Sequence, residues 1–579
     1  MTRLFNDPTA FADDLVAGFV AAHPGRVRAV PGGVARATVG APGSVALVIG
    51  GGSGHYPAFG GLVGPGLAHG AAMGNVFASP STQQVVSVAR AASNGGGVLL
   101  SYGNYAGDVL NFDAAEAQLN AEGIPTRTVV VTDDIFSAPA SEKHKRRGIA
   151  GDLTVFKIAG AAAEAGYPLD EVVRVAELAN ERTRSFGVAF TGCTLPGATE
   201  PLFTVPTGRM ALGLGIHGEP GIGETDIPSA EGLAKLFVEK LLTELPDGVG
   251  SPAGARVVPV LNGLGSVKYE ELYVVYGGVA RGLTEAGIEI VDPQVGEFCT
   301  SFDMAGASLT LFWLDEELET LWAAPADAPA FRTGSVGPRE LVAVDATPEA
   351  PSEAVMAPAS EDSRAAALRV AVAIDAIAAV IDEHVVELGR IDAIAGDGDH
   401  GIGMQRGATA AAGAARAAAE AGAGAGTVLV RAADAWADRA GGTSGALWGV
   451  MLRALGNRVG DDRAPESATV AAGVRDALDG VRRYGKAEVG DKTMVDAIAP
   501  FVDTLGARLE AGDDIERAWD VAAGHAVAAA AATAELLPRM GRARPHAEKS
   551  LGTPDAGAYS FGLVVTAVAA TLPRKDTVS

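Results

Sequence analysis

Three aspartates stand close together in the second half of the sequence. Asp392, Asp397 and Asp399 fall within eight residues, in the segment Asp-Ala-Ile-Ala-Gly-Asp-Gly-Asp. Carboxylate oxygens are the ligands that Mg²⁺ prefers, and three carboxylates this close repel one another without a cation. A calcium loop of the EF-hand type is excluded, because the twelfth position counted from Asp397 or Asp392 is Ala408 or Gly403 instead of Glu. The pattern predicts a magnesium site, with helix capping by one or two of these aspartates as the alternative.

Two histidines are flanked by glycines, which let a small ligand approach the backbone. His55 ends the run Gly-Gly-Gly-Ser-Gly-His directly after the apolar residues 45–49, and His217 lies in the glycine-rich segment 213–221. A neutral imidazole can act as a nucleophile or a base. The first run is not the dinucleotide fingerprint, because His55 occupies the place of the third glycine. The alternatives are a structural turn with an incidental histidine at His55 and a solvent-facing loop at His217.

A carboxylate follows the next apolar run along the chain. The segment Asn-Tyr-Ala-Gly-Asp at residues 104–108 comes shortly after the apolar residues 98–100. If the two strands are parallel, their carboxyl ends share one edge of the sheet. Asp108 could then serve as a base beside His55, although an aspartate after glycine is also typical of a turn or a helix cap.

The chain lacks the usual phosphate-binding loop. The nearest segment, residues 485–493, has Asp491 where the Walker A motif requires Lys. Residues 441–445, Gly-Gly-Thr-Ser-Gly, offer N–H groups and hydroxyls that could bind phosphate at a helix N-terminus. These features favour a nucleotide-binding fold other than the P-loop type.

Two kinds of sequence pattern must position these residues. From about residue 45 to 322, short apolar runs alternate with alanine-rich helical segments, which indicates stacked βα units. After residue 363, long segments rich in Ala, Leu and Val recur at helical spacing. We therefore predict an α/β domain over residues 1–325, a linker over 326–360 and an all-α domain over 361–579.

The composition excludes several classes of function. A net charge of -25 without a local Lys/Arg cluster disfavours nucleic acid and anionic membranes as partners. Cys193 and Cys299 lack the spacing of a disulfide framework or a zinc site. Asp7, Asp13 and Asp14 stand where a signal peptide needs a basic start, and no 18-residue apolar stretch occurs. We therefore predict a cytoplasmic protein.

Together, the motifs resemble the single-chain, ATP-dependent dihydroxyacetone kinase family over nearly the whole sequence. The resemblance rests on GGGSGH at 50–55, NYAGD at 104–108, GLGIHGEPG at 213–221, GDGDHG at 396–401, GGTSG at 441–445 and GDKTM at 490–494. It implies an α/β ketose-binding domain followed by an all-α, helical-barrel nucleotide-binding domain, with ATP and Mg²⁺ as cofactors. It also implies a homodimer in which the nucleotide domain of one chain closes over the ketose site of the other.

The resemblance assigns roles to particular residues. His217 would form a hemiaminal with the substrate carbonyl, while His55 and Asp108 hydrogen-bond the substrate and deprotonate the attacking hydroxyl. The implied ketose pocket contains Gly52, Ser53, Gly54, His55, Tyr56, Gly103 and Asp108. The implied magnesium ligands are Asp392, Asp397 and Asp399. The implied nucleotide-binding residues are His400, Gly401, Ile402, Gly403, Thr443, Ser444, Gly485, Thr493, Met494, Arg542, Asp555, Ala556 and Gly557.

The sugar end departs from the family pattern. Tyr56 and Phe59 stand where typical members have Glu and His, and Gly103 stands where many have a substrate-contacting Lys. Loss of the lysine would open volume beside Asp108, and a larger substrate than dihydroxyacetone becomes plausible. The pattern GHYPAF is similar to the branch that phosphorylates the four-carbon ketose erythrulose. We predict phosphorylation of a terminal hydroxyl of D-erythrulose, giving D-erythrulose 4-phosphate, ahead of L-erythrulose and dihydroxyacetone.

Two other functions are compatible with the resemblance. A non-catalytic ketose-binding regulatory protein would use the first domain alone, but the aspartates of the second domain argue against it. A lyase that cyclises FAD to riboflavin cyclic phosphate would use the second domain alone. A manganese-dependent assay with FAD would distinguish this lyase from a ketose kinase.

Overall fold

The computed structural model describes residues 2–219, 221–342, 358–394, 396, 398–540 and 549–572. The chain divides into two compact units, Met1–Pro348 and Glu349–Ser579. The first unit combines sheets with helices, and the described part of the second is helical. This confirms the predicted fold class. In the described residues, every helix is too short or too polar to span a membrane.

The first unit contains two large sheets and a two-stranded ribbon. Its strands are β1 (Val27–Val30), β2 (Gly33–Arg36), β3 (Ala46–Ser53), β4 (Gly70–Val76), β5 (Val98–Gly103), β6 (Thr126–Val131), β7 (Thr183–Ala189), β8 (Arg209–Leu212), β9 (Gly223–Asp226), β10 (Arg256–Gly263), β11 (Glu289–Ile290), β12 (Gln294–Gly296), β13 (Gly306–Trp313), β14 (Ala326–Asp327) and β15 (Arg332–Thr333). Its helices are α1 (Phe11–Ala22), α2 (Thr82–Ala92), α3 (Ala106–Ala121), α4 (Asp152–Glu164), α5 (Leu169–Glu181), α6 (Ala230–Leu241), α7 (Tyr269–Glu285) and α8 (Glu316–Ala323).

The first sheet has the strand order β1-β2-β4-β3-β5-β6. Strand β3 pairs in parallel with both β4 and β5, so the carboxyl ends of β3 and β5 meet at one edge, as the sequence predicted. All residues of β3 are buried, which explains its continuous apolar run. The strand continues to Ser53 because its glycines stay paired with β4. The first glycines of the motif therefore belong to the end of the strand itself.

The second sheet has the order β11-β10-β13-β7-β8-β9, with β12 beside β10. Strand β13 is antiparallel to β10 and to β7, and β7, β8 and β9 continue antiparallel. Strands β10 and β11 pair in parallel across α7, as predicted for βα units. The prediction of stacked βα units is wrong for β7, β8, β9 and β13, because strands joined by loops and by helices give similar apolar runs in sequence. The connection between β8 and β9 carries His217.

Part of the predicted linker packs within the first unit. Strands β14 and β15 form the ribbon, Ala328 and Phe331 are buried in the core, and Leu341 forms a β-bridge with Thr38. The segment buries only a few side chains between turns, so it has no periodicity that sequence patterns could detect. Residues 343–357 of the predicted linker lie outside the described residues.

The second unit is built from helices around one apolar core. They are α9 (Glu361–Asp392), α10 (His400–Glu420), α11 (Ala425–Ala440), α12 (Gly442–Val459), α13 (Ser467–Gly485), α14 (Val495–Glu510), α15 (Ile515–Ala532) and α16 (Ala556–Thr571). The alanine- and glycine-rich residues 410–426, left open between a helix end and a loop, form most of α10, a short turn and the start of α11. Small side chains such as Ala408, Ala411 and Ala415 let α10 lie buried against its neighbours.

Two glycines of α10 allow a test of this close packing. A methyl group at Gly401 would collide with the backbone carbonyl of Val385 in α9, whereas Gly413 is exposed and faces open space. Gly401→Ala is expected to destabilise the protein by about 1–3 kcal/mol, because backbone cannot move aside easily. Gly413→Ala is expected to stabilise it by roughly 0.5–1 kcal/mol through helix propensity. Thermal denaturation measures both, and equal shifts would contradict the packing described.

Candidate active site

Two histidines from different sheets meet in the first unit. His55 follows the end of β3, His217 lies between β8 and β9, and their Nε2 atoms are 2.9 Å apart. The Nδ1 of His55 lies 2.7 Å from the carbonyl oxygen of Thr300. Since a carbonyl only accepts, this Nδ1 carries a hydrogen. Burial and the nearby His217 lower the pKa of His55 to about 3, so its ring is neutral at physiological pH.

Glu219 holds His217 from the opposite side. Its Oε1 is 2.9 Å from Nδ1 of His217, and its Oε2 accepts the backbone N–H of the same histidine at 3.0 Å. Gly218 makes the intervening turn with a φ of 86°. Gly215 is equally necessary, because a Cβ atom there would overlap the carboxylate of Glu219 and the guanidinium of Arg147. The glycines around His217 thus place a carboxylate against its ring.

Aromatic rings enclose the two imidazoles. Phe77 stacks on His55 with ring centroids 4.8 Å apart, and Tyr105 contacts His217 edge-on at 4.8 Å. The Tyr105 hydroxyl donates to the carbonyl of Gly148. These rings keep the imidazoles in fixed orientations and limit their access to water. No role had been predicted for Glu219, Tyr105, Phe77 or Thr300. Glu219 and Tyr105 lie inside motifs that the sequence displays, whereas nothing local distinguishes Phe77 or Thr300.

Three residues of the predicted ketose pocket lie at or just beyond the end of β3, directly before His55 in the chain. Gly52 approaches the backbone of residues 77–78, and Ser53 Oγ donates to the carbonyl of Gly74 at 2.7 Å. Gly54 has a φ of 111°, which favours glycine. Asp108 is buried in the first turn of α3, three residues beyond Tyr105, and its role as a base stays a prediction.

A small pocket adjoins the end of β3 at the positions that depart from the family pattern. Its walls include Tyr56, which is partly exposed, and Phe59, which packs against Gly51 in the core. Leu15 of α1 and Met73 of β4 complete this apolar side. The aromatic pair therefore lines a cavity with one exposed ring and one mostly buried ring.

The end of β5 at Gly103 lies close to the segment before α4. A Cβ atom at Gly103 would lie 3.2 Å from the carbonyl oxygen of Gly148 and 3.4 Å from Oδ2 of Asp152. These are close contacts without overlap. The expected opening of volume beside Asp108 stays a prediction.

In the second unit, several helix N-termini lie at one end. His400, the first residue of α10, contacts Ser444 Oγ of α12 at 3.2 Å through Nδ1 and Ser560 Oγ of α16 at 3.0 Å through Nε2. Met494, just before α14, lies against Gly557 at the start of α16. A helix N-terminus carries a partial positive charge and N–H groups directed outward, which favour the binding of an anion such as phosphate.

Aspartates surround the same helix ends. Asp392 ends α9 and accepts the N–H of Gly398 at 2.8 Å, while Asp399 precedes α10 and Asp555 caps α16. Burial and the nearby charge of Asp392 raise the pKa of Asp399, and burial followed by Asp392 and Asp496 raises that of Asp555. Repelling carboxylate oxygens are a donor set that a divalent cation fits.

The magnesium assignment as a whole stays a prediction. In the described residues, no group of three or more His, Cys, Asp or Glu side chains lies close enough to hold a metal ion. The predicted ligand Asp397 and the predicted phosphate contact Arg542 lie outside the described residues.

The remaining predicted nucleotide residues fall on the helix ends. Gly401, Ile402 and Gly403 lie in the first turn of α10, Thr443 in that of α12 and Ala556 at the start of α16, while Gly485 ends α13. Thr493 precedes α14, and its N–H donates to Asp496 at 2.8 Å. Except for Gly485, these residues therefore belong to N-termini or to the turns before them.

The chain matches known families and proteins over most of its length. Residues 17–330 match the model of the Dak1 domain, and residues 394–570 match that of the DAK2 domain. The chain is 62% identical to the L-erythrulose kinase of Pectobacterium atrosepticum over 579 residues, which cover 100% of this chain and 98% of that protein. It is 55% identical to the D-erythrulose kinase of Mycolicibacterium smegmatis over 575 residues, 98% of each protein. It is also similar to the crystal structure of the C. freundii dihydroxyacetone kinase in complex with AMP-PNP and Mg²⁺, with 30% identity, a TM-score of 0.52 and coverage of 99% of this chain and 100% of that one.

Proposed function

The chain belongs to the dihydroxyacetone kinase family, and from this premise we propose that it is an ATP-dependent kinase that phosphorylates a terminal hydroxyl of erythrulose. The observation that carries the proposal is the contact between His217 and His55, which presents an imidazole nitrogen to a carbonyl compound inside an aromatic enclosure. The similarity to an L- and a D-erythrulose kinase supports a four-carbon ketose as the substrate.

In the proposed reaction, the first unit selects and holds the ketose. His217 Nε2 attacks the substrate carbonyl, so ketones and aldehydes are retained and polyols such as glycerol are not. His55 hydrogen-bonds the bound sugar, and Asp108 takes the proton of the terminal hydroxyl that attacks the phosphoryl group. Covalent tethering converts the phosphoryl transfer into a reaction between positioned groups.

The second unit supplies the nucleotide side of the proposal. The N-termini of α10, α12 and α16 and the hydroxyls of Thr443 and Ser444 would bind the phosphates of ATP. Asp392 and Asp399, with Asp397, would hold Mg²⁺, which bound there would neutralise charge on the phosphates and orient them. With the predicted domain boundaries, residues 1–325 would bind the ketose and residues 361–579 would bind the nucleotide.

Self-association and location complete the proposal. We infer a homodimer in which the nucleotide unit of one chain serves the ketose site of the other, in a protein of the cytoplasm. The support is the resemblance to the family.

A substrate comparison tests the function. ATP-dependent ADP release is measured with D-erythrulose, L-erythrulose, dihydroxyacetone and glycerol at a fixed Mg²⁺ concentration. We expect kcat/KM for one erythrulose enantiomer to exceed that for dihydroxyacetone by about tenfold or more, a difference that an additional hydroxymethyl contact can provide, and no turnover of glycerol. The enantiomer with the larger kcat/KM is the substrate. A preference for dihydroxyacetone would contradict the erythrulose assignment, and ketose binding without ADP release would favour the regulatory alternative.

A further inference from the structure

The hydrogen bonds around the two histidines account for every ring nitrogen. The carbonyl of Thr300 accepts from Nδ1 of His55, so this atom carries a hydrogen. The carboxylate of Glu219 lies 2.9 Å from Nδ1 of His217 and can only accept, so this nitrogen carries a hydrogen as well. Both Nε2 atoms then face each other at 2.9 Å. An imidazole that carries its hydrogen on Nδ1 keeps a lone pair on Nε2, so His217 Nε2 can act as a nucleophile.

From this arrangement we propose that Glu219 is the positioning residue for the nucleophile. It holds His217 with the hydrogen on Nδ1, keeps Nε2 directed at the substrate, and compensates the positive charge that forms on the ring when Nε2 bonds the substrate carbon. The inference deepens the proposed function and rests on it for the identity of the ketose. Glu219 itself does not touch the reacting atoms, because it accepts a hydrogen bond from Nδ1 of His217, whereas the reaction takes place at Nε2.

The covalent step explains why a carboxylate is needed behind the ring. The lone pair of His217 Nε2 forms a bond to the carbonyl carbon, and the carbon–oxygen π bond breaks toward oxygen. The oxygen takes a proton from solvent, which gives the hemiaminal hydroxyl. The alkylated ring of His217 is then an imidazolium whose Nδ1–H still donates to Glu219. The positive charge formed in this step therefore faces a carboxylate that is already in place.

A second layer of charged groups fixes Glu219 itself. Arg147 donates to Asp134 at 2.8 Å and to the carbonyl of Gly213 at 2.9 Å, and its Nη1 lies 3.9 Å from Oε2 of Glu219. Burial opposes the charge of Arg147, but Asp134 and Glu219 outweigh it and raise the pKa of the guanidinium. The guanidinium of Arg147 thus places a positive charge near the carboxylate of Glu219.

The test begins with the unaltered protein and ¹⁵N NMR of its labelled histidines, with His217→Ala used to assign the His217 signals. The inference requires a hydrogen on Nδ1 of His217 in the free protein. A His217 ring that carries no hydrogen on Nδ1 would overturn the inference without any variant of Glu219.

The second arm compares Glu219→Gln with Glu224→Gln, which makes the same change at an exposed residue of β9. Hemiaminal formation is followed by ¹³C NMR with a ketose labelled at its carbonyl carbon. Glu219→Gln is expected to lower the hemiaminal population and kcat/KM for the ketose at least tenfold, to alter the His217 tautomer and to leave KM for ATP within twofold. Glu219→Asp, which keeps the charge, should recover part of the loss.

A Glu219→Gln protein with the unaltered tautomer and hemiaminal signal would overturn the inference while leaving the proposed kinase function intact. Conversely, an unaltered protein that forms the hemiaminal through the predicted tautomer but transfers no phosphoryl group would overturn the proposed function and support the role of Glu219.

Discussion

Replacing His217 with alanine is expected to lower kcat/KM for erythrulose by about 10⁴-fold or more, the scale of loss seen when a nucleophile is removed. The variant lacks the atom that forms the hemiaminal, and alanine leaves the enclosure of Tyr105 and Phe77 without the ring that they contact. The measurement is coupled ADP release together with the ¹³C signal of the bound ketose. Binding of Mg-ATP should persist, because the nucleotide is assigned to the second unit.

His144→Ala is the matched control for this prediction. His144 is exposed and belongs to the same unit, and its backbone carbonyl accepts a hydrogen bond from Asn104. In the part of the chain that the structure describes, no side-chain hydrogen bond or ion pair of His144 is seen. Its substitution should leave kcat/KM within twofold. If His217→Ala kept more than a tenth of the activity, the assignment of His217 as the covalent residue would be wrong.

The second large effect is expected for Asp399→Asn, which should lower kcat by about 100-fold or more, above the range found for residues that merely support a metal ligand. The carboxamide keeps the shape of the side chain and loses the charge that would hold Mg²⁺. Because Asp392 and Asp399 repel each other, the same change should leave the Tm of the metal-free protein equal or higher. Activity and stability are therefore expected to move in different directions.

Asp503→Asn is a suitable control, since Asp503 is exposed on α14. Isothermal titration with Mg-ATP and thermal denaturation without Mg²⁺ separate the two effects. A fall in the metal-free Tm by several degrees would show that Asp399 supports the fold instead, and undiminished affinity for Mg-ATP would remove it from the metal site.

Combining His217→Ala and Asp399→Asn tests the exchanged dimer, in which the nucleotide unit of one chain serves the ketose site of its partner. In co-expressed chains, one carrying His217→Ala and the other Asp399→Asn, an exchanged dimer contains one site built from two intact units. Activity should then return to a measurable fraction of the unaltered level. Without exchange, every site retains one damaged unit, and the mixture stays as inactive as its parts.

Several features of this protein follow from local sequence. The apolar residues 45–49 and 98–100 predicted neighbouring strands, and their parallel pairing brings both carboxyl ends to one edge. The alanine-rich segments after residue 363 predicted helices, and small side chains do pack between α9 and α10. These predictions succeed because strand and helix periodicity and the conformational freedom of glycine are properties of short segments.

Other features depend on contacts between distant residues. The second sheet is antiparallel around β13, and residues 326–342 pack in the first unit, although neither segment has a distinctive local pattern. Gly148 and Asp152 closely approach Gly103, which a comparison at one position cannot reveal. Each of these features depends on which helices and strands pack together, and this is determined by contacts throughout the core.

The same distinction between local sequence and long-range contacts applies to the active site. The sequence by itself determined the chemistry available, namely two imidazoles beside glycines, a set of aspartates and glycine-rich helix starts, because residue types and their short spacings carry that information. Only the tertiary structure decided that His55 and His217, 162 positions apart, share a contact, with Thr300 and Glu219 holding the outer nitrogens of their rings. Hydrogen bonding and charge compensation act over a few ångströms in space, so they become defined only when folding brings these groups together.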